Sequence, residues 1–149
     1  MTESTVNAVD RDAELAARLR LAVTRLSRRL RHQGETGISA SQLSALATVD
    51  RCGPMTLGDL AAAEQVQPPS MTRIVARLEE AGLVARQVCQ EDRRVARVRV
   101  TGTGRELLQR SRTRKDAYLA RRLRTLDDAD RTVMAEVVGV LEQLLEGGE

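Results

Sequence analysis

Between Asp10 and His32, apolar side chains recur every three or four residues, at Leu15, Leu19, Val23, Leu26 and Leu30. That spacing gathers them into one stripe along a helix of about six turns. Arg18, Arg20, Arg25, Arg28, Arg29 and Arg31 occupy the remaining surface. A long helix with so narrow a leucine stripe is expected to pack against another long helix. Residues 1–9 carry an acid and no apolar run, and read as a loose arm rather than a secretory signal. The turn Gln33-Gly34-Glu35-Thr36-Gly37 closes the helix.

The next signals are caps. Ser39 followed by Gln42 is a capping box that opens a helix from Leu43 to about Arg51, and Cys52-Gly53-Pro54 stops it. Thr56 and Asp59 repeat the device for a short helix through Ala63. After a turn over 64–67, Pro68 and Pro69 suit the first turn of a further helix, where a missing N–H costs little. That helix carries Met71, Ile74, Val75 and Leu78 on one side and ends at Gly82.

From Leu83 the period changes to two. Residues 84–88 and 95–100 predict two strands around the polar turn 90–94. Thr101 caps a helix expected to reach Leu126. Within it, residues 109–116 (QRSRTRKD) contain no apolar side chain, so this stretch is expected to cross open space between two packed regions. Asp127 caps a last helix with Val133, Val137, Val140, Leu141 and Leu144 at helical spacing. The expected fold is therefore mainly α with a small two-stranded β wing. A winged helix-turn-helix at residues 37–101 is flanked by dimerisation segments at 1–36 and 102–149.

Composition narrows the class. The chain has 149 residues, one Tyr and neither Phe nor Trp, so its core must be aliphatic. The length suffices to bury that core without disulfides or metals. No apolar run is long enough to span a membrane, and a cytoplasmic protein is expected. The net charge of +3 is too small to identify a nucleic-acid partner by itself, so placement must decide. Lys115 is the only Lys among 24 basic residues, and arginine suits phosphate and base edges because its guanidinium is a fixed fork.

The decisive pattern lies on the helix that starts at Pro68. With 100° between residues, Ser70, Arg73 and Arg77 share one face with Thr72 at its flank, away from the apolar side. Hydroxyl and guanidinium groups near a helix N-terminus suit a major groove, where early residues meet base edges. The predicted wing adds Glu91-Asp92-Arg93-Arg94 at its tip, and an Arg there suits a narrow minor groove. Arg86, Arg97 and Arg99 extend the basic character along the strands. Each half alone fits an ordinary charged surface, whereas the two in succession make a winged helix.

The segments 69–84, 91–94 and 98–104 (PSMTRIVARLEEAGLV, EDRR and VRVTGTG) together resemble the MarR family of bacterial transcription regulators. The likeness runs over about residues 10–146 and includes the order of the helices. It implies a homodimer with intertwined terminal helices whose two winged lobes grip a pseudo-palindromic DNA operator. It also implies a repressor released by a small-molecule or other chemical cue. By position, Ser70, Thr72, Arg73 and Arg77 would read the major groove or its phosphates. Arg86 would meet the backbone beside the wing. Arg93 and Arg94 would serve the minor groove, with Asp92 bracing Arg94 in an Asp-x-Arg pair. Effector pockets of the family often use aromatic contacts, and Tyr118 is the one ring available, which argues against an aromatic effector.

Other chemistry falls away. Cys52 and Cys89 form no C-x-x-C, His32 is the only His, and the ligand count fails for zinc. The cysteines are read as inert thiols and His32 as a helix-end residue. Gly102 and Gly104 open like a dinucleotide fingerprint, but Leu107 stands where the third glycine belongs. No nucleophile set, metal cluster or phosphate loop supports an enzyme, and no cofactor is expected. The alternative function is a winged helix used for non-specific DNA binding or for protein contacts.

Overall fold

The computed structural model describes residues 3–88 and 96–146, with side chains from residue 10 onward in the first helix. The elements run α1 (Glu3–Gln33), α2 (Ala40–Cys52), β1 (Met55–Thr56), α3 (Leu57–Ala63), α4 (Pro68–Glu80), β2 (Val84–Val88), β3 (Ala96–Val100), α5 (Gly102–Leu123) and α6 (Asp128–Glu146). The expected arm is helical from Glu3. No Gly or Pro interrupts residues 3–33, so nothing in the chain stops α1 from propagating back to its start.

The caps act as their residue types require. Ser39 accepts from the Gln42 N–H at 3.2 Å while the Gln42 side chain accepts from the Ser39 N–H at 2.7 Å. Thr56 accepts from Asp59 N–H and Thr101 from Gly104 N–H, each at 3.1 Å. Gly53 ends α2 at φ 82°, a left-handed conformation that costs glycine nothing.

The sheet has three strands where two were expected, in the order β1-β3-β2, all antiparallel. Met55 pairs with Val98 and Thr56 with Arg97. Two residues are too few to display a period, so β1 leaves no pattern in the sequence. A single hairpin is marginal alone, and β1 ties the ribbon back to the helices.

The core is small and aliphatic. Leu46, Leu60, Met71, Val75, Leu78 and Val98 are fully buried between α2, α3, α4 and the sheet. The turn between α3 and α4 is held from α2, where Ser44 and Thr48 donate their hydroxyls to the Glu64 carboxylate at 2.6 and 2.5 Å. Within that turn Gln65 adopts φ 52°.

Helix α5 corrects two expectations. It ends at Leu123, with Arg124 as C-cap, rather than at Leu126. Its polar stretch does not cross open space either. Ser111 is buried and donates to the Gly34 carbonyl at 3.3 Å, and Arg114 donates to the Glu35 carbonyl at 2.9 Å. Arg112 pairs with Asp50 of α2 at 3.2 Å. A β-carbon on Gly34 would lie 2.5 Å from Lys115 Cε and 2.7 Å from Ser111 Oγ, so a larger residue there would have to displace those two side chains of α5. Farther along α5, the Arg122 guanidinium stands 5.9 Å from the Tyr118 ring centre. The Tyr118 hydroxyl ionises below its usual range, chiefly because the neighbouring Arg29 guanidinium of α1 favours the phenolate, with Arg122 adding to it.

Among the described residues, further apolar side chains stand at the surface. Helix α6 has no buried residue, and Val133, Met134, Val137, Val138, Val140, Leu144 and Leu145 are exposed along it. Leu15, Leu21, Val23 and Leu26 are exposed on α1.

Candidate nucleic-acid interface

Helix α4 is anchored by its apolar side. Met71, Val75 and Leu78 are buried and Ile74 is partly so. At about 1.5–3 kcal/mol for each fully buried aliphatic side chain, this fixes the rotation of the helix. Ser70, Thr72, Arg73 and Arg77 all come out exposed. Pro68 and Pro69 occupy its first turn, and no side chain of Gln67 caps it.

Ser70, Arg73 and Arg77 line a notch of about 270 Å³ together with Ile74 and the start of α2, through Ser39, Ser41 and Gln42. The wall is rich in hydroxyls and carries two guanidinium groups one helical turn apart. Thr72 stands outside this notch and donates its hydroxyl to the Pro68 carbonyl at 3.0 Å, which leaves the oxygen's lone pairs as its outward function.

Arg86 is not with the α4 set. Its register partner is Val98, so it shares a sheet face with that core residue, while Arg97 and Arg99 pair with Gln87 and Ala85 on the other face. From there it reaches the end of α4 and donates from Nε to the Glu79 carboxylate at 2.9 Å. The sequence pattern grouped Arg86 with Arg97 and Arg99, and the register separates them. Asp92, Arg93 and Arg94 lie outside the described residues, as does Cys89. Glu79 and Ser41 join the site without having been singled out, and Ser39, read from the sequence only as a helix cap, joins it too. The seven-residue separation of Glu79 and Arg86 crosses a change from helix to strand, so no single period links them.

Cys52 is an exposed free thiol at the end of α2. Among the described residues no group of three His, Cys, Asp or Glu stands close enough to hold a metal, and no helix is long and apolar enough to cross a membrane.

A model of the MarR family matches residues 38–96, the segment that holds α2, β1, α3, α4 and β2 and stops at the first residue of β3. An HTH-type transcriptional regulator of Mycobacterium tuberculosis (strain CDC 1551 / Oshkosh) is 42% identical over 139 residues, covering 93% of this chain and 97% of its own. The chain belongs to the MarR family. It is thus a DNA-binding transcription regulator of helix-turn-helix type, not an enzyme. A transcriptional regulator from Pseudomonas aeruginosa PA01 superposes with a TM-score of 0.82 at 32% identity, over 91% of this chain and 96% of its own. A MepR variant from S. aureus, solved bound to an oligodeoxyribonucleotide, shares the fold with a TM-score of 0.70 at 20% identity, over 87% and 97% of the two chains. The MarR regulators therefore supply the winged-helix frame in which α4 and the sheet are to be understood.

Proposed function

We propose that this MarR regulator works in the cytoplasm as a homodimer that reads a pseudo-palindromic operator in double-stranded DNA and represses transcription from it. The observation that carries the reading is the outward face of α4, where Ser70, Thr72, Arg73 and Arg77 stand exposed on a helix whose other side is locked into the core. A mixture of hydroxyl and guanidinium groups suits base edges and phosphates together, whereas coating DNA needs cations alone. The DNA-bound MepR variant of the same fold adds support. In this reading Arg86 meets the backbone, Arg93 and Arg94 serve the minor groove, and Asp92 braces Arg94.

Dimerisation is supported by the apolar surfaces at the two ends of the chain. Leu15 is 62% exposed, Val140 55% and Leu145 83%, more aliphatic surface than a monomer of this size leaves in water without a partner. Residues 1–36 and 102–149 then form the dimer, burying well above the ~1,600 Å² of a standard interface, and residues 37–101 form the DNA-reading lobe. For release by a chemical cue, a cavity of about 310 Å³ lies against α5, lined by Glu35, Thr36, Leu107, Arg110, Ser111 and Arg114. Its wall sets two guanidinium groups and two hydroxyls beside the Glu35 carboxylate, a lining that suits a small polar effector better than a bare aromatic one.

Selection of duplexes from a random pool by the full-length protein tests this reading. A recovered inverted repeat with half-sites about one helical turn apart is the expected result. Recovery of no shared sequence, with affinity set by salt alone, would instead give the non-specific binder.

A further inference from the structure

Glu79 stands next to the end of α4, where the last carbonyls of a helix concentrate negative partial charge. A carboxylate there opposes the helix dipole, so helix stability does not account for it. It also lies two residues beyond Arg77, on an element assigned above to a polyanion, where a further negative charge weakens binding. Two electrostatic costs therefore fall on this side chain, and what it does in the structure is hold Arg86.

The geometry of that hold is informative. Arg86 donates from Nε to Glu79 Oε2 at 2.9 Å, with the two side chains 39% and 30% exposed. A guanidinium has five N–H donors, and the Nε bond uses one of them. An exposed pair of this kind contributes little to stability, so its effect is chiefly on direction. The bond also spans the Gly82 turn and ties the recognition helix to the first strand of the wing.

We propose that Glu79 is a positioning residue for the DNA-backbone contact of Arg86: it grips the guanidinium at Nε and turns the Nη edge outward toward a phosphate. The inference rests on the DNA-reading assignment of α4 and Arg86. Fixing the guanidinium beforehand lowers the entropy lost when it meets the DNA.

The test measures binding of full-length dimer to a duplex recovered by selection and to a random-sequence duplex, across a salt series. Glu79→Ala is expected to weaken both by roughly three- to tenfold and to lower the salt slope by about one, although it removes a negative charge. Glu79→Gln, which keeps the acceptor oxygen without the charge, is expected to restore most of the loss. In an Arg86→Ala background, Glu79→Ala should cause no further loss. Binding by Glu79→Ala as tight as the parent's, or tighter, overturns the proposal. So does an equal loss in the Arg86→Ala background, which would make the effect one of α4 itself. Thermal melting of each variant separates a folding defect, because loss of an acid near a helix C-terminus should leave α4 intact. Failure of the underlying reading is distinguishable, since Arg73→Ala and Arg77→Ala would then also bind like the parent.

Discussion

Gly104 meets the Leu83 carbonyl so closely that a β-carbon placed there would lie 2.2 Å from that oxygen. The same carbonyl accepts the Thr101 N–H at 3.0 Å, and the Thr101 hydroxyl donates to the Gly82 carbonyl at 2.6 Å. The base of the wing and the first turn of α5 are thereby one joint. Gly104→Ala must push backbone against backbone. It is expected to destabilise the fold by on the order of 1–3 kcal/mol, read as a lower urea midpoint with little change in slope.

DNA reading should centre on α4. Arg73→Ala and Arg77→Ala are each expected to cost about 1–3 kcal/mol of operator binding and to relax preference at particular base pairs where the contact is bidentate. Arg86→Ala should weaken all sequences alike and flatten the salt dependence. Competition binding with operator and random duplexes separates the two patterns.

The ends of the chain should decide assembly. Deleting residues 140–149 removes Val140, Leu144 and Leu145 from the exposed stripe of α6. The shortened protein is expected to be monomeric or poorly folded, with the intact chain a dimer at micromolar concentration. Sedimentation equilibrium checks both, and a stable monomer of the intact chain would refute the dimer.

Tyr118 is the sole tyrosine, so phenolate absorbance reports it alone. The guanidinium groups of Arg29 first, and of Arg122 second, favour the ionised form. The folded protein is expected to titrate at lower pH than the urea-unfolded chain, and Arg29→Ala to move the midpoint back upward. Because the folded value is the lower one, any stabilisation appears only at alkaline pH, above the unfolded value, and fades as pH falls through the folded one.

Much of this architecture is legible in the residues, because caps and periods are local. Ser39 with Gln42, Thr56 with Asp59, Thr101 and the Pro68-Pro69 pair mark helix starts through groups no more than three positions apart. The outward face of α4 is legible for the same reason, since one buried stripe fixes the opposite side. What escaped is long-range and polar. Ser111 reaches Gly34 across 77 residues through a hydroxyl and a carbonyl, and hydrophobic periodicity registers neither. The expectation that residues 109–116 are unsupported followed from equating packing with apolar contact. Arg86 with Glu79 is a similar case, since strand register decides which way the arginine leaves the sheet.

The polar seating of α5 has a mechanical meaning. Ser111 and Arg114 bolt its middle to the corner between α1 and α2, Arg112 ties it to Asp50 near the end of α2, and its far end carries the chain on toward α6. It is a strut and not a tether, so torque applied at the far end reaches α2 without a compliant joint between. In the proposed dimer, the angle at which two such struts cross sets the distance between the reading heads. A small change in that angle takes them out of step with the pitch of the double helix.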